Sequence, residues 1–196
     1  DEIYEKLTYE GEHVSIASLS PDIKAQTIVV NGHSKAYAMT GWRVGYAAGP
    51  KDVIQAMSAH QSHATSNACS ITQHAAMAAL SSGGEIIAAM SEEFNERRLL
   101  MDRLINGIDG LSALLPKGAF YTMMNVSGAF GKALPGGKPI ESSDDFAALL
   151  LDEVKVAVVP GTAFGAPNHV RVSYATSQQK IKEGMARIAS FMARLK

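Results

Sequence analysis

The closing stretch "HVRVSYATSQQKIKEGMARIASFMARLK", residues 169–196, changes its hydrophobic period within a few residues. Val170, Val172 and Tyr174 alternate with Arg171 and Ser173, the two-residue period of a strand with one apolar face. Ile181, Met185, Ile188, Met192 and Leu195 then recur at three- and four-residue steps, which predicts an amphipathic helix capped by Thr176 or Ser177. A strand that runs straight into such a helix calls for a sheet with helices laid on it.

The alternation extends through the chain. "TIVVN" (27–31) reads as a buried strand ending in an Asn-Gly turn, and "RVGYAAGP" (43–50) as a second short strand. Helices are expected from Lys51 or Asp52, and over 71–80, where Gly83-Gly84 breaks the pattern. A long helix follows, with Ile86, Met90, Phe94, Met101 and Ile105 on one apolar stripe and Glu92, Glu93, Glu96, Arg97 and Arg98 mostly outside it. After "INGIDG" (105–110) the pattern changes, so a domain boundary is expected near 95–110. "AFYTMMNV" (119–126) is strand-like, and "SGAFGKALPGGKPI" (127–140) is a loop. Ser142 or Ser143 caps a helix over 144–155, and "VAVVPG" (156–161) reads as a buried strand stopped by Pro160. The expected class is α/β, with the second half more mixed.

With 46% hydrophobic and 19% charged residues among 196, a packed core is expected. A net charge of −1 supplies no basic field for nucleic acid or an anionic membrane surface, so neither is expected as a partner. Cys69 is the single cysteine, which rules out an internal disulfide, fits a cytoplasmic setting and reads as a small packed residue. His60 and His63 share a helix face, but no third ligand is suitably spaced, so no metal is expected. The chain starts at Asp1 without Met, and the native polypeptide is expected to extend upstream.

"NGHSKAYAMTGWRVGY" (31–46) carries two cations, Lys35 and Arg43, and no acidic residue. Lys35 follows an apolar strand and a glycine turn, where desolvation and a nearby cation would lower the amine's pKa and make it a usable nucleophile for a carbonyl carbon. Arg43, without a local carboxylate, suits a bidentate phosphate contact. Together they point to an aldehyde cofactor that bears a phosphate.

"SKAYAMTGWRVGY" (34–46) resembles, over its full length, the cofactor-lysine signature of class I, fold type I aminotransferases dependent on pyridoxal 5'-phosphate, nearest the bacterial aspartate aminotransferase branch. The resemblance runs through essentially the whole chain. It implies that Lys35 holds the cofactor and serves as general base and acid, while Arg43 binds its phosphate. "DEIYEKL" at the start resembles the family segment that offers an aspartate, Asp1, to the pyridine nitrogen and a tyrosine, Tyr4, to the ring's phenolic oxygen. "VRVSYA" resembles the strand whose arginine, Arg171, clamps the substrate α-carboxylate. "ATSNACSITQ" resembles the segment that reaches the neighbouring subunit's site in the family's dimers, which makes Ser66 and Asn67 candidates for a shared site. "KGAFYTMMNV" resembles a small-domain strand near the substrate, with Phe120 and Tyr121 equally readable as core. His33 is read as a pocket neighbour.

Two departures stand out. Ala68 replaces a common proline, and Ser62 replaces the distal-carboxylate arginine of eukaryotic-type aspartate aminotransferases. The resemblance thus implies residues 1–100 as the C-terminal portion of the large PLP-binding α/β domain and 101–196 as a small α+β domain. Amino-acid and 2-oxo-acid substrates, a homodimer, and inactivity of this portion alone are implied with it. Rival readings are a PLP-dependent lyase on the same fold, or an aminotransferase-like sensor domain of a transcription regulator.

Overall fold

The computed structural model describes residues 1–82 and 84–196, so the expected helix break at Gly83 lies outside the described residues. The chain forms two compact units, Asp1–Glu92 and Glu93–Lys196. Among the described residues no helix is long and apolar enough to cross a membrane.

In the first unit a short helix, α1 (Pro21–Lys24), precedes strand β1 (Val29–Gly32), which pairs antiparallel with β2 (Gly45–Ala48). Val29 faces Ala48 and Gly32 faces Gly45 in this ladder. Gly45 allows a close approach there, since a Cβ on it would lie 3.0 Å from the Asn31 carbonyl oxygen across the ladder. The start of the chain is tied to β1 through the Glu2 N–H, which donates to the Val30 carbonyl at 2.8 Å. Helices α2 (Lys51–Ala64) and α3 (Ser70–Ser82) follow, and α4 (Gly84–Asn106) carries the chain into the second unit.

The second unit holds a four-stranded antiparallel sheet in the order β3-β4-β6-β5, formed by Ser112–Ala113, Tyr121–Asn125, His169–Ser173 and Val159–Pro160 respectively. Val170, Val172 and Tyr174 face a core completed by α5 (Ser143–Val154) and α6 (Gln178–Arg194). Ile181, Met185, Ile188, Phe191 and Met192 of α6 are buried in it, each fully buried apolar side chain contributing about 1.5–3 kcal/mol. Phe146 of α5 meets Phe191 edge-on, with centroids 5.6 Å apart. Ser142 and Ser177 are the caps: the Ser142 hydroxyl accepts from the Asp145 N–H and donates to its carboxylate, and Ser177 accepts from the Lys180 N–H.

Four expectations need correction. The strand in "TIVVN" is buried only at its end: Asn31 and Gly32 are buried, whereas Val30 is 44% exposed, β1 and β2 forming a two-stranded sheet among the described residues. "VAVVPG" yields only the short edge strand β5, and Pro160 lies within it, on an edge where a missing N–H is tolerated. Arg98 is not outside the α4 stripe but buried on it, 4% exposed; its Nη1 donates to the Pro116 carbonyl at 2.7 Å and its Nε to Asn95 Oδ1 at 2.9 Å. Ile86, expected on that stripe, is 67% exposed.

Gly161 opens the turn Gly161–Phe164 that leads out of β5. A Cβ there would collide with the carbonyl oxygens of Ala166 and His169, both backbone atoms. Gly161→Ala is expected to destabilise the protein by about 2–3 kcal/mol, the cost of overpacking a site that cannot relax. A urea-unfolding midpoint equal to that of the parent would contradict this.

Candidate active site

Residues 33–43 leave β1 as an irregular loop held by short backbone bonds, Tyr37 N–H to the His33 carbonyl and Ala38 N–H to the Lys35 carbonyl. Ala38 and Arg43 both adopt φ of 53°, a left-handed conformation unusual for residues with a Cβ. Such strain in a loop of this composition is a mark of functional segments. Lys35 is half-buried in this loop, its Nζ 6.0 Å from the centroid of the Tyr4 ring. The structure thus brings Tyr4 and Lys35 together, although 31 positions separate them in sequence.

The remaining residues of the first unit stand as follows. Asp1 is exposed, and its Oδ1 accepts from the Ile3 N–H at 3.0 Å. Arg43 is exposed and donates from Nη1 to the Thr40 carbonyl at 2.8 Å; among the described residues no carboxylate pairs with it. Arg43 lines a recess of about 520 Å³ with Trp42, Cys69 and Thr72. Ser66 and Asn67 are exposed in the link between α2 and α3, Ser66 with a φ of 66°. Ser62 lies on α2, where its hydroxyl donates to the Ala59 carbonyl.

His33 is buried at 3% exposure, stacked on Tyr37 at 5.2 Å and edge-on to Tyr46 at 6.0 Å. Neither of its ring nitrogens has a hydrogen-bond partner among the described residues. Burial, and next the nearby Glu5, Tyr37 and Glu2, push the Tyr46 phenol above its ordinary pKa. Cys69 is not the packed residue its type predicts. It is exposed just ahead of α3, and hydrogen bonds from the backbone of Thr72 and then Ile71 hold its thiol below the ordinary value. The carboxylates of Glu2 and Glu5 and the His13 imidazole form a cluster with ligand atoms within 4.8 Å of one another, which no sequence spacing signalled.

In the second unit Arg171 sits on the face of β6 opposite the core, paired with Met123 on β4 and Val159 on β5. Its guanidinium carbon lies 4.4 Å from the Tyr121 ring centroid and 4.5 Å from that of Phe164. Among the described residues it has no hydrogen-bond or ion-pair partner, so its N–H groups are available to an anion. Phe164 escaped sequence analysis because a turn-borne aromatic has no periodicity to mark it.

The donor set fits pyridoxal 5'-phosphate in kind. A half-buried amine suits its aldehyde, a phenol stands beside that amine, and a guanidinium without a carboxylate partner suits its phosphate. The unpartnered nitrogens of buried His33 in the same loop mark a place where a polar group is wanted.

The chain belongs to the aminotransferase class I and II family, whose model matches residues 1–188. It is 51% identical over 194 residues to an aspartate aminotransferase of Geobacillus stearothermophilus, covering 98% of this chain and 48% of that protein. The crystal structure of the aspartate aminotransferase from Rhizobium meliloti superposes with a TM-score of 0.96 at 47% identity, over 100% of this chain and 49% of that one. An aromatic aminotransferase structure from Pyrococcus horikoshii superposes at 0.89 with 37% identity, covering 98% of this chain and 50% of that one. The chain spans about half the length of the relatives it matches.

Proposed function

We propose that this chain is the C-terminal portion of a PLP-dependent aminotransferase that moves an amino group between an L-amino acid, aspartate among the candidates, and a 2-oxo acid. The protein acts as a cytoplasmic homodimer, with residues 1–100 belonging to the large cofactor-binding domain and 101–196 forming the small one. The observation that carries this reading is the half-buried Lys35 amine held over the Tyr4 ring in a strained loop at the end of β1. Family membership and the names of the relatives support it.

When bound, the cofactor supplies an aldehyde for the substrate amine and a ring that takes up the electron pair left at the substrate's α-carbon. Lys35 takes the proton from that carbon as general base and delivers it, as general acid, to the carbon that was the cofactor's aldehyde carbon, the 1,3-shift that leaves the nitrogen behind when the 2-oxo acid departs; the task suits an amine whose other role is to hold the cofactor. Asp1 keeps the pyridine nitrogen protonated through a charge-assisted hydrogen bond, and Tyr4 hydrogen-bonds the phenolic oxygen. Arg43 binds the phosphate, and Arg171 takes the substrate α-carboxylate with two parallel N–H bonds. Ser66 and Asn67 serve the neighbouring subunit's site. Ser62 offers no cation for a distal carboxylate, so recognition of an acidic side chain falls to residues outside this chain.

The test is a product balance on the full-length polypeptide with amino acid and 2-oxo acid together. The expected result is one new amino acid per 2-oxo acid consumed, with no ammonia. Ammonia release that proceeds without any 2-oxo acid would instead establish a lyase.

A further inference from the structure

Phe164 is 48% exposed, and Tyr121 points to the same sheet face as Arg171. Both rings lie against one guanidinium, at 4.4 and 4.5 Å from its central carbon. We propose that Tyr121 and Phe164 are positioning residues, an aromatic clamp that confines the Arg171 guanidinium and leaves its in-plane N–H donors free for a carboxylate. The proposal rests on the reading of Arg171 as the carboxylate receptor.

An arginine on an open sheet face samples many rotamers, and a bidentate contact uses only a narrow set of them. Ring faces attract the guanidinium through its plane, whereas carboxylates are bound through its edge, so the two contacts do not compete. The clamp is itself braced. Tyr121 packs on Phe120 with centroids 4.5 Å apart, and Phe120 stacks on Phe94 of α4 at 5.6 Å. Phe164 is set by the turn that starts at Gly161 and ends at Gly165, whose φ of 70° reverses the chain. The rings arrive from opposite neighbours of β6: Tyr121 from β4, Phe164 from the turn after β5. A lysine would replace the arginine only in part, since an ammonium keeps the charge but offers neither the plane nor the fork.

The test uses the full-length protein with its cofactor and the variants Tyr121→Leu, Phe164→Leu, Tyr121→Phe and Arg171→Leu. Each leucine variant is expected to raise KM for the amino acid and the 2-oxo acid by about fivefold, with a smaller change in kcat. Tyr121→Phe, which keeps the ring, should recover most of what Tyr121→Leu loses. The half-reaction with an amine that lacks a carboxylate should be spared relative to the amino acid. Unchanged KM in both leucine variants, or an equal loss with the carboxylate-free amine, overturns the clamp. Arg171→Leu separates the two ideas. If it raises KM and the leucine variants do not, the clamp alone falls. If it leaves KM untouched, the reading of Arg171 falls and the clamp with it.

Discussion

Replacing Lys35 by alanine in the full-length polypeptide is expected to lower amino transfer by roughly 10⁴-fold or more, beyond what loss of a positioned acid–base group costs by itself. Alanine removes two functions at once, because the amine that holds the cofactor is also the group that moves the α-proton. Arginine would not substitute, since a guanidinium stays protonated and cannot accept that proton. Lys35 is half-buried in an irregular loop and is not itself a core residue, so the fold should survive its loss. Steady-state amino transfer, measured beside an unfolding curve, separates the chemical effect from instability. Normal turnover by a folded Lys35→Ala protein would refute the assignment of Lys35.

The second large effect is expected at Arg171. Arg171→Leu should raise KM for both substrates by about 10²–10³-fold, the range for truncating one side of a hydrogen-bonded charge pair. Arg171→Lys should fall between leucine and the parent, because it keeps the charge and loses the fork. The side chain lies on the sheet face opposite the core, so its removal leaves the packing of Val170 and Val172 intact. Saturation curves for amino acid and 2-oxo acid give the measurement, and an unchanged KM would remove Arg171 from the substrate site.

Local periodicity carried much of the second unit. Val170, Val172 and Tyr174 are buried and Arg171 is outside them, as the two-residue period in "HVRVSYA" requires. The α6 stripe from Ile181 to Met192 is buried along its whole length for the equivalent reason at helical period, while Leu195, expected to continue it, is buried just past the helix end in an extended conformation. Arg98 shows where such reading stops. It occupies a stripe position of α4, and its charge places it outside by composition, yet the Pro116 carbonyl 18 residues away satisfies it in the interior. The exposure of Val30 has the same kind of cause, because a β-branched run signals a strand but not whether neighbours cover it. Within the candidate site, Lys35 and Arg43 could be singled out because they sit in one long stretch without an acidic residue, and Arg171 because it alternates with Val170 and Val172. Phe164 was not, since a turn's direction leaves no mark in a linear pattern, and for His33 the sequence supplied its place beside Lys35 but not its burial.

By itself, then, the sequence determined which segments become strands and helices and which residue types bring amine, phenol, carboxylate and guanidinium chemistry, because both are written in short-range order. Only the tertiary structure decided that the Tyr4 ring lies under Lys35 and that Tyr121 and Phe164 flank Arg171. Those contacts depend on strand register, Met123 opposite Arg171 and Val159 beside it, and on turns that join distant positions. Register and turn direction are set by the packing of the whole unit, which no local window of residues contains.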